Sequence, residues 1–447
     1  MKSTTSSQEF AVKQFLALCV RDFFQGAVAF MFLLLAANAR LPAADWLAFR
    51  GADGMGIAAN EKMRTSWSET EGIAWRAKLP GKGVSSPIVV GPLVVVTASS
   101  GPQENRLHVI ALNRNDGSTV WHRQFFATGR TLCHPTSAVA AGTPASDGKR
   151  IVALFSSCDL FAIDLGGGLL WQRSLAVERP KAGNDIGMAS SPRIIDGTVV
   201  IQIESQGDSF ASGIDVITGE DRWTVPRRKA ANWTTPTAIV GSNGKAHVLL
   251  QDRAGVEVRS ASSGALVWEL LSQMQSIPSA SVRGNVVYLP SENDGIVALT
   301  LSASDEKPQR TWASVKLSPG SASPLAWNEQ IACVNRAGVL TIASSVDGTV
   351  GDQVRLAGQF WASPILVGKL IVAVNREGTT FLVSAGEKPE IIAKNILPGT
   401  FLGTPAIADG SLYLRSEDSL WKIAADPTAQ AITSPFTRPL IAGSATP

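Results

Sequence analysis

The sequence predicts an all-β fold, an eight-bladed β-propeller of four-stranded antiparallel blades. Three observations predict it: a strand-opening proline step that recurs along the chain, a hairpin ending in tryptophan that recurs with it, and an early unpaired strand that matches one missing at the end. The composition agrees, because 40 Gly, 24 Pro and 17% charged residues among 447 suit short strands joined by tight turns.

The proline step opens a strand eight times, at intervals of 40 to 57 residues. After most steps come a glycine turn, a β-branched run, a polar turn and a second apolar run, as in 191–201 and 363–373. Four short strands per period of about 40–50 residues are typical of a propeller blade. The steps lie at Pro87, Pro144, Pro192, Pro236, Pro278, Pro324, Pro364 and Pro405.

The recurrent hairpin is clearest in residues 213–223. Asp215 and Thr218 can bind turn amides, and Gly219 can take the positive φ of a tight reversal. Trp223 then ends the outer strand, and tryptophan returns at this place in other repeats. We therefore expect these rings to pack between blades rather than to hold a ligand. The set comprises Trp75, Trp121, Trp171, Trp223, Trp268 and Trp312.

The two ends of the repeat array complement each other. The last repeat lacks a fourth strand after 419–423, whereas the strand 73–79 has no repeat of its own. We expect 73–79 to complete the eighth blade and remove the open edge; a seven-bladed ring with one stray sheet is the competing count. The predicted domains are an N-terminal extension at 45–72, the propeller at 73–424 and a tail at 425–447.

Residues 1–44 are predicted to be a signal peptide or an N-terminal membrane anchor. Basic residues precede an uncharged apolar run at 23–39, and Ala37-Asn-Ala39 offers a cleavage site. The protein is therefore expected to be exported to the periplasm or cell envelope, with membrane contact only through this segment. A net charge of +3 with no basic run argues against nucleic acid. We expect a monomer.

The repeat in 214–223 and in 162–171 resembles the pyrroloquinoline-quinone (PQQ) repeat. This repeat builds the propellers of quinoprotein alcohol dehydrogenases and of the outer-membrane β-barrel assembly lipoprotein, a non-enzymatic scaffold. The stretches 46–51 and 184–192 are similar to PQQ-like propeller proteins of planctomycete-type bacteria. The resemblance covers roughly residues 75–424 and implies the fold and an envelope location.

The sequence gives little support for an enzymatic role. Quinoprotein dehydrogenases hold the quinone against a disulfide of adjacent cysteines, beside calcium bound by Glu, Asn and Asp, and this chain has no adjacent cysteines. PQQ is therefore not expected. We predict a non-enzymatic envelope scaffold that binds a protein or peptide partner. The alternative is a diverged quinoprotein-type oxidoreductase or a calcium-dependent carbohydrate-active propeller.

Candidate ligand residues lie on the face that carries the long connections. Oxygen-bearing side chains there could bind calcium or another ligand; equally, they could cap turns and satisfy loop amides, which is the interpretation we favour. No catalytic residue is predicted. The calcium or ligand candidates are Asn184, Asp185, Glu204, Gln206 and Asp208.

Cysteines and two further tryptophans complete the predicted site features. Cys133 and Cys158 fall on the same face and are expected to form a disulfide, whereas Cys333 is expected to be a buried strand residue. Trp233 and Trp361 directly precede innermost strands, so we expect them at the rim of the hub. There they could hold a peptide strand or a sugar; equally, they could only pack, which is the interpretation we favour.

Overall fold

The structure, a computed structural model, describes residues 45–241, 244–302, 307–386 and 388–426. It contains eight antiparallel blades, and the innermost strands of neighbouring blades contact one another around a central hub. The predicted leader and the tail beyond residue 426 lie outside the described residues. Within the described ranges, no helix is long and apolar enough to cross a membrane.

Each blade runs from strand A at the hub to strand D at the periphery. Blades 1 to 4 are β3–β6 (Ile88–Val90, Leu93–Ser100, Arg106–Asn113, Thr119–Phe126), β7–β10 (Ala145–Ser146, Arg150–Leu154, Asp159–Asp164, Leu169–Ser174), β11–β14 (Arg193–Ile195, Thr198–Ile203, Phe210–Asp215, Asp221–Pro226) and β15–β18 (Thr237–Val240, Ala246–Asp252, Gly255–Ser260, Leu266–Leu271). A short helix, α1 (Leu175–Glu178), follows blade 2.

Blades 5 to 8 complete the ring. They are β19–β22 (Ser281–Arg283, Val286–Ser291, Gly295–Thr300, Gln309–Ser314), β23–β26 (Leu325–Trp327, Gln330–Val334, Val339–Ser344, Val350–Arg355), β27–β30 (Ile365–Val367, Leu370–Val374, Thr379–Ser384, Ile391–Ile396) and β31–β33 with β2 (Ala406–Ala408, Ser411–Arg415, Ser419–Ile423, Ile73–Lys78).

The N-terminal strand closes the ring as predicted. β2 pairs antiparallel with β33, from Ile73 opposite Ile423 to Lys78 opposite Ser419, and supplies strand D of blade 8. The eighth sheet is therefore a full blade, and the seven-bladed count is wrong.

The strand-D tryptophans join successive blades. The Trp223 indole N–H donates to the carbonyl oxygen of Ala261 in blade 4 at 2.9 Å. Trp171 makes the corresponding bond into blade 3 and covers Gly219, where an added Cβ would come within 2.7 Å of the ring. Gly219 has φ of 76°, as predicted, so the turn and the ring above it both require glycine. The repeat motif thus specifies the contact between blades.

Candidate functional site: the hub cup

A closed circle of eight hydroxyl residues surrounds the hub. The backbone N–H of each residue donates to the side-chain oxygen of the corresponding residue in the next blade, at 2.9 to 3.1 Å. The circle satisfies eight inner amides that lie beyond the strand ladders. We call it the hydroxyl ring; its members are Ser86, Thr143, Ser191, Thr235, Ser279, Ser323, Ser363 and Thr404.

The hydroxyl ring explains the proline step. Proline follows the ring residue in seven blades, but in blade 5 Pro278 precedes Ser279. A ring residue must itself keep an N–H, so proline can stand beside this position and never in it. The hydroxyl is therefore the feature that all eight blades share, and proline only directs the chain into strand A.

The hydroxyl ring lines a cavity of ≈ 320 Å³, which we call the hub cup. Apolar and aromatic side chains, including Trp233, Trp361 and Ile186, line it together with the ring. The Trp233 indole N–H donates to the carbonyl oxygen of Gly187 at 2.9 Å, which fixes its plane against the long connection after blade 2. Among the described lining residues there is no carboxylate.

The N-terminal extension closes the end of the hub that carries the A–B turns. Trp46 bridges Val89 in strand A of blade 1, and Phe49 lines the cup. Farther along, β1 (Ile57–Ala58) pairs in parallel with β27 of blade 7. Glu61 then accepts the N–H of Gly410, in the A–B turn of blade 8, at 2.6 Å. The cup therefore opens only toward the B–C turns and the long connections.

Two buried arginines fix the extension beneath the hydroxyl ring. Arg50 donates to the carbonyl oxygen of Met55 at 3.1 Å, to the Ser281 hydroxyl at 2.9 Å and to the carbonyl oxygen of Pro324. Arg193 donates to the carbonyl oxygens of the extension residues Gly51 and Ala52. Burial lowers the pKa of both guanidinium groups to about 10, which leaves them charged at neutral pH.

A third buried arginine lies beside the ring in blade 8. Arg415, 1% exposed, donates to the carbonyl and hydroxyl oxygens of Ser85, the neighbour of ring residue Ser86. Its Nε and Nη2 have no hydrogen-bond partner among the described residues. Burial lowers the pKa of this guanidinium to about 9.

The five predicted calcium or ligand residues do not converge. Asn184, Asp185 and Gln206 line a second pocket of ≈ 450 Å³, where Asp185 pairs with Arg130 at 3.0 Å. Glu204 is instead buried against Arg227, with Oε1 and Nε 2.6 Å apart. Since that guanidinium already compensates its charge, Glu204 is not available to the others.

Asn184, and Asp208 as the fifth candidate, make local hydrogen bonds. The Asn184 side chain accepts the N–H of Ile186 at 3.0 Å, and Asp208 donates its N–H to the carbonyl oxygen of Lys181 at 3.0 Å. Within the described ranges, no group of three or more His, Cys, Asp or Glu side chains is arranged to hold a metal ion.

The cysteines of the predicted bridge are separate thiols in the structure. Cys158 is buried in the B–C turn of blade 2 with φ of 64°, and Cys133 is half-buried in the connection after blade 1. Burial raises the pKa of the Cys158 thiol to about 12. The disulfide stays a prediction for the oxidised protein. Cys333 is buried in strand B of blade 6.

Blade 1 contains a hydrogen-bonded chain of Ser100, His108 and His122. His108 Nε2 lies 2.7 Å from the Ser100 hydroxyl, and its Nδ1 lies 2.9 Å from His122 Nε2. Burial, with smaller contributions from His122 and Arg106, lowers the pKa of His108 to about 4. His108 is thus a buried strand residue whose two ring nitrogens both have hydrogen-bond partners.

Eight four-stranded blades around a hub cup define a closed, repeat-built propeller of the PQQ type. The chain belongs to the PQQ-repeat family described as outer membrane protein assembly factor BamB, whose model matches residues 58–224 and 208–428. This confirms the resemblance seen in the repeats. No curated protein matches the sequence significantly.

Solved structures show the same fold. BamB from Moraxella catarrhalis is 15% identical with a TM-score of 0.58, over 79% of this chain and 97% of that chain. Quinohemoprotein alcohol dehydrogenase from Comamonas testosteroni is 12% identical with a TM-score of 0.63, over 92% and 84%. At this identity the similarity establishes the fold alone.

Proposed function

We propose that this protein is a non-enzymatic binding or assembly scaffold of the cell envelope, and that a protein partner docks on the face where the hub cup opens. The observation that carries the proposal is the cup itself. It is a blind cavity lined by hydroxyls, aromatic rings, aliphatic side chains and His134. Such a lining suits recognition, because a few fixed polar groups orient a ligand whose apolar parts fill the remainder.

Exposed apolar residues on the same face of the propeller add support. Phe126 ends strand D of blade 1 and is 65% exposed, Leu132 in the next connection is 62% exposed, and Val177 in α1 is 65% exposed. All three lie in or next to the long connections after blades 1 and 2, on the face toward which the cup opens. Exposed apolar side chains on one face are typical of surfaces that bind other proteins.

The alternative enzymatic roles have less support from the residues. Quinone binding of the type that the resemblance implies needs acidic calcium ligands and adjacent cysteines. The described cup lining offers neither Asp, Glu nor Cys, and its floor residue is Phe49. The residues present therefore do not fit PQQ held with calcium in this cup.

Recovery of the partner tests the proposal. The tagged full chain, produced in its native cells, is cross-linked in envelopes, purified, and its bound proteins identified by mass. Replacing Trp233→Ala together with Trp361→Ala should reduce the recovered partner at least about tenfold, which corresponds to roughly 1.4 kcal/mol of binding.

The matched control removes exposed apolar side chains from the opposite face. Ile217 and Val346 lie in C–D turns and are 63% and 66% exposed. Ile217→Ala with Val346→Ala should leave recovery unchanged. Equal recovery with both double variants, each folded by circular dichroism, would show that the cup face is not the docking site.

A further inference from the structure

Among the described residues, no carboxylate forms an ion pair with the three buried arginines around the hub. Arg50, Arg193 and Arg415 are 1%, 4% and 1% exposed, and their hydrogen bonds go to carbonyl and hydroxyl oxygens. Asp53 is the one carboxylate that offsets the charge of Arg50 and Arg193, and it lies in an exposed turn of the extension. Buried charge without a counter-charge is costly, so excess positive charge at one place in a fold calls for an explanation.

All three guanidinium groups lie next to the hydroxyl ring in the chain or in space. Arg50 binds the residues that follow Ser279 and Ser323, and Arg415 binds the residue that precedes Ser86. Arg193 stands two residues after Ser191 in strand A of blade 3. None of the three lines the cup, and Arg50 and Arg193 line a separate small pocket instead. Their charge therefore acts on a ligand in the cup through its field and not by direct contact.

The hydroxyl ring supplies such donors. Each ring oxygen accepts a backbone N–H, so its own O–H hydrogen remains able to donate. In the described part of the chain these hydroxyls donate to no protein acceptor, although most are at least nine-tenths buried at the wall of the cup. Donors in excess, positive charge and no lining carboxylate together suit an anionic group.

We propose that the hub cup captures the free C-terminal carboxylate of a partner protein chain. This inference rests on the proposed function and specifies which part of the partner enters. The carboxylate lies at the hydroxyl ring, and the last apolar side chain packs against Trp233 and Trp361. A chain end suits the cup because Phe49 and the extension close it, so that a strand cannot pass through it. Capture of a terminal carboxylate by converging donors is an established mode of peptide recognition.

Titration with matched peptides tests the inference. The full chain is titrated by calorimetry with N-acetyl-Val-Phe-Leu as the free acid and as the C-terminal amide, two probes that differ only in the charged group. The free acid should bind at least about tenfold more tightly than the amide. Arg415→Met should remove most of this preference and leave amide binding unchanged.

Two controls exclude a general charge or folding effect. Arg253 lies in the B–C turn of blade 4 on the same face and is 61% exposed, so Arg253→Met should keep the preference. Ser323→Ala with Ser363→Ala removes two ring donors without removing charge, and should reduce the preference for the free acid several-fold. This variant tests the inference even if Arg415→Met fails to fold.

Three outcomes would overturn the inference. The free acid and the amide could bind equally, or neither peptide could bind at millimolar concentration. In the third outcome benzoate binds as tightly as the free-acid peptide, which would assign the cup to small carboxylates. Each can occur while the tryptophan variants still lose the envelope partner. In that case the proposed function stands and only the chain-end inference fails. Conversely, if those variants keep the partner, the proposed function fails.

Discussion

Two groups of buried arginine in this propeller differ in what surrounds them. Arg227, between blades 3 and 4, has a fully buried side chain with three carboxylates within 3.0 Å, those of Glu204, Asp252 and Glu257. The hub arginines Arg50, Arg193 and Arg415 are as deeply buried and bind neutral oxygens. The same side chain thus forms ion pairs in one region and hydrogen bonds to neutral oxygens in the other, where Asp53 alone offsets part of the charge of Arg50 and Arg193.

The difference separates a structural role from a role in recognition. A buried ion cluster is complete without a ligand, because each charge meets its opposite within the fold. Charge that faces only neutral oxygens keeps an electrostatic field, which a ligand of opposite sign can use. Arg227 should therefore matter for stability, and the hub arginines should matter more for binding than for stability.

The largest expected effect comes from removing the counter-ion between blades 3 and 4. Arg227→Met leaves Glu204, Asp252 and Glu257 without their common guanidinium, and should lower the free energy of unfolding by roughly 3–5 kcal/mol. Chemical denaturation measures this loss. Arg310→Met is the control, since Arg310 is 53% exposed and pairs with Asp294 at 3.4 Å; it should cost less than about 1 kcal/mol. Similar losses for the two variants would contradict the distinction.

Acidification should lower the stability of the fold through blade 1 and not through the hub arginines. The pKa of His108 is lowered to about 4, whereas the unfolded imidazole titrates near 6.5. Between these values the unfolded state binds more protons, so stability should fall as pH falls from about 6.5 to about 4, by at most roughly 1.4 kcal/mol per pH unit. The hub guanidinium groups stay protonated throughout.

Thermal unfolding across pH 4 to 7 measures the effect. His108→Gln removes one of the two imidazoles of this pair and should flatten this part of the profile, although His122, whose pKa is also lowered by burial, and carboxylates contribute to the remainder. An unchanged slope in this variant would assign the acid sensitivity to other groups.

The sequence predicted the features that are repeated and local. The turn at Gly219, the interblade position of Trp223 and the closure by 73–79 each follow from a pattern within one or two repeats. The hydroxyl ring was missed, although its signal is visible as a Ser or Thr beside every proline step. The proline step indicated only where a strand begins. Nothing within a single repeat shows that the Ser or Thr hydroxyl beside the proline accepts a backbone N–H from another blade.

Features that depend on distant contacts could not be predicted. The partners of Arg50 lie more than 200 residues away, so neither its burial nor the closure of the hub by the extension follows from local sequence. Glu204 was grouped with Asn184 because both loops share one face, yet its side chain turns to Arg227. Loop placement follows from the propeller topology, whereas side-chain direction depends on the neighbouring blade.

The smallest expected change in stability, with a clear change in binding, comes from Arg415→Met. No carboxylate pairs with Arg415 among the described residues, so the variant loses two hydrogen bonds to Ser85 and leaves no buried charge unpaired. Two lost bonds offset by the removal of a poorly solvated charge should change the free energy of unfolding by about 1 kcal/mol or less. Denaturation of this variant beside Arg227→Met gives the direct comparison. A loss as large as that of Arg227→Met would mean that the Arg415 guanidinium is structural, and that its charge is already compensated within the fold.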